Sequence, residues 1–317
     1  LAKARKILAR KKAIASIHTV TRTMEMVSTA QFKQAFKRST AAGKYIEGMS
    51  QLVENIIERC EATHLRHPLL QQHQKCNNHV VLVLTSDRGL CAGYNSSIVR
   101  AAIHRMKELE NEGKTITLHA SGRRGISLLQ NAKHQIAEVH PTLDSESGGW
   151  HAVSMLTDTM MEKFLGRQIG GVDVVYAKPL GAATYKTTVT KLLPLLLQED
   201  AAGNDSDIET PADPWETSQT EQPDADFETF GQDAFEFVPS AGAMLRRLLP
   251  TAIRLRLFRC FMDCAVTEQI ARMAAMHAAS ENADDMISAL NIKYNRTRQG
   301  QITTELAEIL GGRAGLE

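Results

Sequence analysis

The chain has 317 residues, 37 Lys+Arg against 36 Asp+Glu, and a formal net charge of +1. That length accommodates one or two domains with a buried core, and 43% hydrophobic with 23% charged residues excludes wholesale disorder. The charge is a sum of unlike parts: residues 199–236 hold 13 acids and no Lys or Arg, which leaves +14 on the rest. No run approaches eighteen apolar residues, so nothing reads as a membrane span. Five thinly spread cysteines (Cys60, Cys76, Cys91, Cys260, Cys264) suit a reducing compartment better than a disulfide scaffold. The basic N-terminus lacks the apolar core of a secretory signal.

Residues 1–42 contain neither Gly nor Pro. Apolar residues at Ile7, Ile14, Ile17, Val20, Met24 and Val27 predict one stripe of a long helix, close to a heptad seam. Tyr45, Met49, Leu52, Val53, Ile56 and Ile57 resume the pattern past Gly43 and Gly48. His67-Pro68 ends it, because a residue before Pro leaves the α region. The N-terminal shaft helix is therefore expected over 1–66.

The middle, 78–197, alternates. A strand over Val80–Thr85 leads through a Gly-containing turn into a helix over Ser96–Glu110. A strand follows at Thr115–Ala120 and a second helix after Gly125. Trp150–Leu165 reads as helix, and Val172–Ala177 and Thr187–Leu197 as strands. This spacing predicts a small Rossmann-like α/β domain with a largely parallel sheet. Residues 198–237, rich in Asp, Thr, Pro and Gln, read as an acidic loop or disordered insertion. The rest, 238–317, is a second shaft helix: no Gly or Pro lies between Pro250 and Gly300, Ala is frequent, and Gly311-Gly312 should terminate it. Two long terminal helices bury their stripes most economically against each other. The expected fold is thus α/β: a long antiparallel coiled coil plus the Rossmann-like domain.

Candidate chemistry is sparse. Gly89-Leu90-Cys91-Ala92-Gly93 precedes a helix, a place where phosphate can bind, but it is neither G-x-G-x-x-G nor a Walker A sequence. A tight packing turn is the preferred reading. Cys60, His64, His67, His73, Cys76 and His79 suggest zinc, yet their spacing matches no closed module, and a polar loop accounts for them. Cys260 and Cys264 share a helix face and read as core thiols. No catalytic dyad or triad can be assembled, and no metal or cofactor is assigned. The N-terminal bases could form a nucleic-acid arm, but no aromatic residue precedes Phe32 to stack on bases, so nucleic acid is not expected.

Three stretches resemble the gamma subunit family of F-type ATP synthases. Thr23-Met24-Glu25-Met26-Val27 is similar to its N-terminal signature. Ser86-Asp87-Arg88-Gly89-Leu90-Cys91, then Gly93-Tyr94-Asn95, is similar to its central Asp-Arg-Gly-Leu-Cys-Gly-Gly-x-Asn motif, with Ala92 in place of the motif's second Gly. The C-terminal match runs from Glu268-Gln269 through Ala271-Arg272-Met273, Ala275-Met276, Glu281-Asn282-Ala283, Tyr294-Asn295-Arg296, Arg298-Gln299 and Ile302-Thr303 to Glu305-Leu306. A family basic residue near Gln31 is missing. The acidic insertion has no Cys, unlike the thiol-regulated extension of photosynthetic members.

The resemblance implies a non-catalytic subunit that couples ion flow to ATP synthesis on the beta subunits. The helix pair would be a rotating shaft inside the alpha–beta hexamer, with the α/β domain docking the epsilon subunit and the membrane c-subunit ring. By the same resemblance, Met24 faces the moving lever of a beta subunit. Arg272, Arg298, Gln299, Thr303 and Glu305 contact beta-subunit loops or support the shaft. The basic face with Lys3, Lys11 and Lys12 meets acidic loops. The complex would place the chain peripherally on the cytoplasmic face of a bacterial inner membrane.

Overall fold

A computed structural model of the chain describes residues 2–62, 67–71, 73, 76–143, 148–181, 184–195 and 241–314. The acidic insertion expected over 198–237 lies outside them. The elements in chain order are α1 (Ala2–Ala62), β1 (Asn78–Leu84), α2 (Tyr94–Asn111), β2 (Thr115–Ser121), α3 (Arg123–Asn131), β3 (Glu138–His140), α4 (Trp150–Leu165), β4 (Gly171–Pro179), β5 (Tyr185–Leu193) and α5 (Ala241–Ala314). They form two compact units: Leu1–Gln31 with Ala271–Glu317, and Phe32–Ile270.

The second unit is built on a five-stranded sheet ordered β3-β2-β1-β4-β5. The first four strands pair in parallel and β5 runs antiparallel to β4. Central strands covered on both faces must be apolar throughout; β1 is buried from His79 to Leu84, and β4 is buried at every position but Lys178. At the edge, β5 mixes exposed and buried positions. The strand order is that of a Rossmann sheet as far as its fifth strand. The sequence reading omitted β3, a three-residue edge strand of Glu-Val-His, and carried β5 past Leu193, where the strand ends.

Helices α1 and α5 also contribute to this unit. Phe32 of α1 is buried with Val266 and Ile270 of α5, flanked by Ala35, Phe36 and Tyr185. On α5, Leu245, Leu249, Ile253 and Leu257 recur every fourth residue and are all buried. Pro250 lies inside that helix. An interior Pro costs about 3 kcal/mol; four buried apolar side chains on the turns around it outweigh that. Gly311 and Gly312 likewise fall within α5 rather than ending it.

In the first unit, α1 and α5 run antiparallel. Ser280 Oγ donates to Thr21 Oγ1 at 2.9 Å, His18 meets Asp284 at 3.2 Å, and His277 meets Glu25 at 2.9 Å. The less exposed positions of α1 here include Ala4, Ile7, Lys11, Ile14, His18, Thr21, Glu25 and Ser28, alternating three and four residues apart. That is a heptad seam, but it is not the stripe the sequence suggested. Ile7 and Ile14 lie on it; Ile17, Val20, Met24 and Val27 do not. On α5 the matching seam runs through Met276, Ser280, Ala283, Ile287, Leu290, Tyr294 and Thr297.

Candidate functional site

The turn after β1 occupies the point where the sheet's connections diverge, β1 leading to β2 on one side while β4 lies on the other. Open α/β sheets take their ligands there, beyond the carboxyl ends of the strands. The motif of residues 86–95 fills this place with a hydrogen-bonded knot. Ser86 N–H donates to Asn95 Oδ1 at 3.0 Å and Ser86 Oγ donates to the Arg88 carbonyl at 2.8 Å. Asn95 Nδ2 donates to the buried Cys91 sulfur at 3.1 Å. Asp87 accepts from the Arg123 backbone N–H at 3.0 Å and from the Thr142 hydroxyl at 2.7 Å, which joins the turn to the segments after β2 and β3. Leu90 and Ala92 take φ values of 66° and 47°, the left-handed region that favours glycine. Gly93 directly precedes α2, and Arg124 lies over Gly89, its guanidinium 2.9 Å from where a Cβ would stand. Gly122 and Gly125 are required by close approach, since a Cβ on either would collide with Thr85.

The first residue of α2 reaches from this knot to α5. Tyr94 is fully buried; its hydroxyl lies 3.1 Å from the Cys264 carbonyl and 3.2 Å from Thr267 Oγ1. Thr267 Oγ1 in turn lies 3.2 Å from the carbonyl of Ala177, near the end of β4. The ring of Tyr94 meets Tyr185 edge-on. Burial pushes the Tyr94 phenol well above its ordinary pKa and the Cys264 thiol up to about 12, so both stay neutral and the thiol is unreactive. The crevice that would admit a ligand is thus entered by residues 264–267 of the chain's own C-terminal helix.

A buried ion pair sits on the same sheet. Asp173 of β4 accepts from Arg105 Nε at 2.7 Å and lies 3.3 Å from His79 Nε2. Burial pushes the Asp173 carboxyl up, but His79 and Arg105 outweigh it and hold the group below the ordinary carboxylate value. Arg105 and Asp173, with His104, Glu108 and Lys191, line an open hollow of about 410 Å³.

The shaft residues singled out by resemblance are spread along α1 and α5. Met24 lies on the exposed side of α1 with Ile17, Val20 and Val27, about a quarter turn from the seam at 100° per residue. Lys12 is exposed and Lys11 half-buried on the seam; the Lys3 side chain lies outside the described residues. Arg272 is buried, whereas Arg298, Gln299, Thr303 and Glu305 are exposed.

The Cys/His segment does not assemble a metal site among the described residues. His67 Nδ1 accepts from Leu69 N–H, the His73 ring packs tilted against Phe164 with centroids 4.4 Å apart, Cys76 donates to the Arg167 carbonyl, and His79 faces Asp173. The side chains of Cys60 and His64 lie outside the described residues. Among those described, one group brings metal-ligating atoms together: His119 of β2 with Glu138 and His140 of β3. Sequence reasoning missed it; the available signal was Glu138-Val139-His140, whose first and third side chains share a face in a strand. Burial lowers His119 to about 4 and holds His140 below its ordinary value.

The ATP synthase family profile matches residues 3–316. ATP synthase gamma chains are 36% identical in Rhodopirellula baltica, over the whole of both chains, and 32% identical in Rhodospirillum rubrum, over 94% of each. That of Leptospira biflexa is 30% identical over 98% of both. Among solved structures, a chain of the Euglena gracilis mitochondrial ATP synthase OSCP/F1/c-ring assembly shares the fold, with a TM-score of 0.63 at 16% identity over 99% of this chain and 95% of that one. A chain of the Tetrahymena thermophila central stalk and c-ring gives 0.52 at 16% identity, covering 82% of this chain and 99% of its own.

Proposed function

Because this chain belongs to the ATP synthase gamma-chain family, we propose that it is the central rotating shaft of an F-type ATP synthase, coupling transmembrane ion flow to ATP synthesis and hydrolysis on the beta subunits. The observation that carries this reading is the antiparallel pairing of α1 and α5, held at Thr21–Ser280, His18–Asp284 and Glu25–His277, with an apolar stripe left on the outer face of α1. A rod that turns inside a ring of partners must be stiff. Continuous packing of two helices supplies stiffness, and an exposed apolar stripe marks where another protein bears on it.

The shaft holds no catalytic group of its own. It acts by contact: one asymmetric rod touches equivalent beta subunits differently, and each contact difference shifts that subunit's affinity for nucleotide. Met24 stands on the outer stripe as the contact to the beta lever. Arg298, Gln299, Thr303 and Glu305 on exposed α5, with Arg272, meet beta-subunit loops or brace the pair. Lys3, Lys11 and Lys12 meet acidic partner surface. The sheet domain docks the c-subunit ring and epsilon. No described helix is long and apolar enough to cross a membrane, so the chain is held at the bilayer by its complex, on the cytoplasmic face of a bacterial inner membrane.

Co-expression with the matching alpha and beta subunits tests the reading. Stoichiometric co-purification and ATP-driven rotation of a probe on the sheet domain are expected. A chain that never enters the hexamer overturns it. Reversal of Lys3, Lys11 and Lys12 to Glu should lower torque while leaving assembly intact, and unchanged torque would remove those residues from the contact.

A further inference from the structure

We infer that His119, Glu138 and His140 form a binding site for a divalent transition-metal ion of the zinc class at the β2–β3 edge of the sheet. Parallel register sets His119 opposite Glu138 and Ser121 opposite His140, so the three side chains converge on one face. His119 Nδ1 lies 3.0 Å from His140 Nε2 and 3.5 Å from Glu138 Oε2, and His140 Nε2 lies 3.7 Å from the same oxygen. A triangle with those sides has a centre about 2.0 Å from every corner, the bond length of zinc to imidazole nitrogen and carboxylate oxygen. Three ligands of a tetrahedral ion stand about 3.3 Å apart at that bond length, between the shortest and longest of these separations.

The chemistry of the three atoms agrees with the geometry. A neutral imidazole offers one ring-nitrogen lone pair to a cation. Lys163 stands 3.5 Å from Glu138 Oε1, which engages the outer oxygen and leaves Oε2 to face the histidines. Two imidazoles and one carboxylate with no sulfur favour zinc and its borderline neighbours over calcium or magnesium. The Glu138 side chain is 46% exposed, so a fourth position is open to water or to a partner's side chain. Without an ion, His119 and His140 must share a single N–H between facing nitrogens. With one, β3 is tied to β2 by coordination. Three residues of pairing are a weak hold for an edge strand, and a metal bridge would secure it.

Zinc binding to the purified full-length chain, stripped with chelator and titrated with Zn²⁺ alone, tests the site. One ion per chain is expected, with an X-ray absorption first shell of nitrogen and oxygen near 2.0 Å and a melting temperature several degrees higher. Glu138→Gln, at a half-exposed position that should fold normally, is expected to weaken binding about 10-fold or more, and His140→Gln to abolish it. Full affinity in His140→Gln, sulfur in the first shell, or no binding by the folded wild-type chain each overturns the assignment.

Discussion

In the sheet, burial follows apolarity: Val80 through Leu84 and Val172, Val174 and Val175 are all sealed from solvent. In the unit of Leu1–Gln31 with Ala271–Glu317 the relation holds only in part: Ile14 and Met276 are buried, but so are small hydroxyls. Ser28 and Ser280 are 1% and 3% exposed, while Ile17, Val20 and Val27 are 55%, 53% and 50% exposed. The central strands of the sheet are sealed by this chain's own side chains. The helix pair sets the small hydroxyl residues Thr21, Ser28 and Ser280 inside beside Ile14, Met276 and Ala283, and leaves Ile17, Val20 and Val27 outside. Monomeric proteins seldom leave such stripes bare. The contrast separates a core that finishes the fold from a surface finished by assembly.

Mutations can break this contrast, and the largest effects belong to the sheet. Leu82→Ala, at a fully buried β1 position, should cost about 3–4 kcal/mol in denaturant unfolding. Arg105→Gln should cost about 3 kcal/mol, because it leaves the buried Asp173 carboxylate without its closest cation. The same pair sets an acid limit. The Asp173 pKa is lowered by folding, so its contribution is present above the unfolded value of about 3.9 and is lost as pH falls through the lower folded value. Wild-type stability should therefore drop below about pH 4, with a shallower acid dependence in Asp173→Asn.

Smaller effects probe the seam and the outer stripe. Thr21→Val alone should cost about 1 kcal/mol by leaving the buried Ser280 hydroxyl without its partner, Ser280→Ala should cost less because Thr21 still donates to the His18 carbonyl, and the double change should be close to neutral. Additive losses would mean that the hydrogen bond is not what couples the two positions. Ala92→Gly should gain about 0.5–1 kcal/mol by relieving its positive φ. Ile17→Ser with Val20→Ser should shift the stability of the free chain by less than about 0.5 kcal/mol yet reduce co-purification with alpha and beta subunits. A large stability loss in that variant would place the stripe inside the fold.

How far the sequence could be read follows the same division. β1, β4 and α4 were legible because both faces of the sheet select continuous apolar runs and α4 has Gly149 before it and Gly166 after it. β3 was not, since a three-residue edge strand carrying Glu and His has no hydrophobic signal. Along α1 the period was right and the face was wrong. Periodicity detects any surface that avoids water, and Ile17, Val20, Met24 and Val27 avoid it without being covered by this chain. Gly311-Gly312 misled about the end of α5, since helix propensity is a weak local preference and the helix runs through them to Ala314. The central motif was recognisable by its residues, but its use of Tyr94 to bind α5 depends on Cys264 and Thr267, some 170 positions away.

The hydroxyl of Tyr94 and the carbonyl of Ala177 meet α5 from two directions around Thr267, at the mouth where a sheet of this kind would hold a nucleotide. The domain has surrendered its pocket to become a keyway. A helix seated by packing alone can slip along its grooves or roll in place; one pinned by directional bonds at a single level can do neither without breaking them. A twist applied to the sheet is therefore delivered to α5 at residues 264–267.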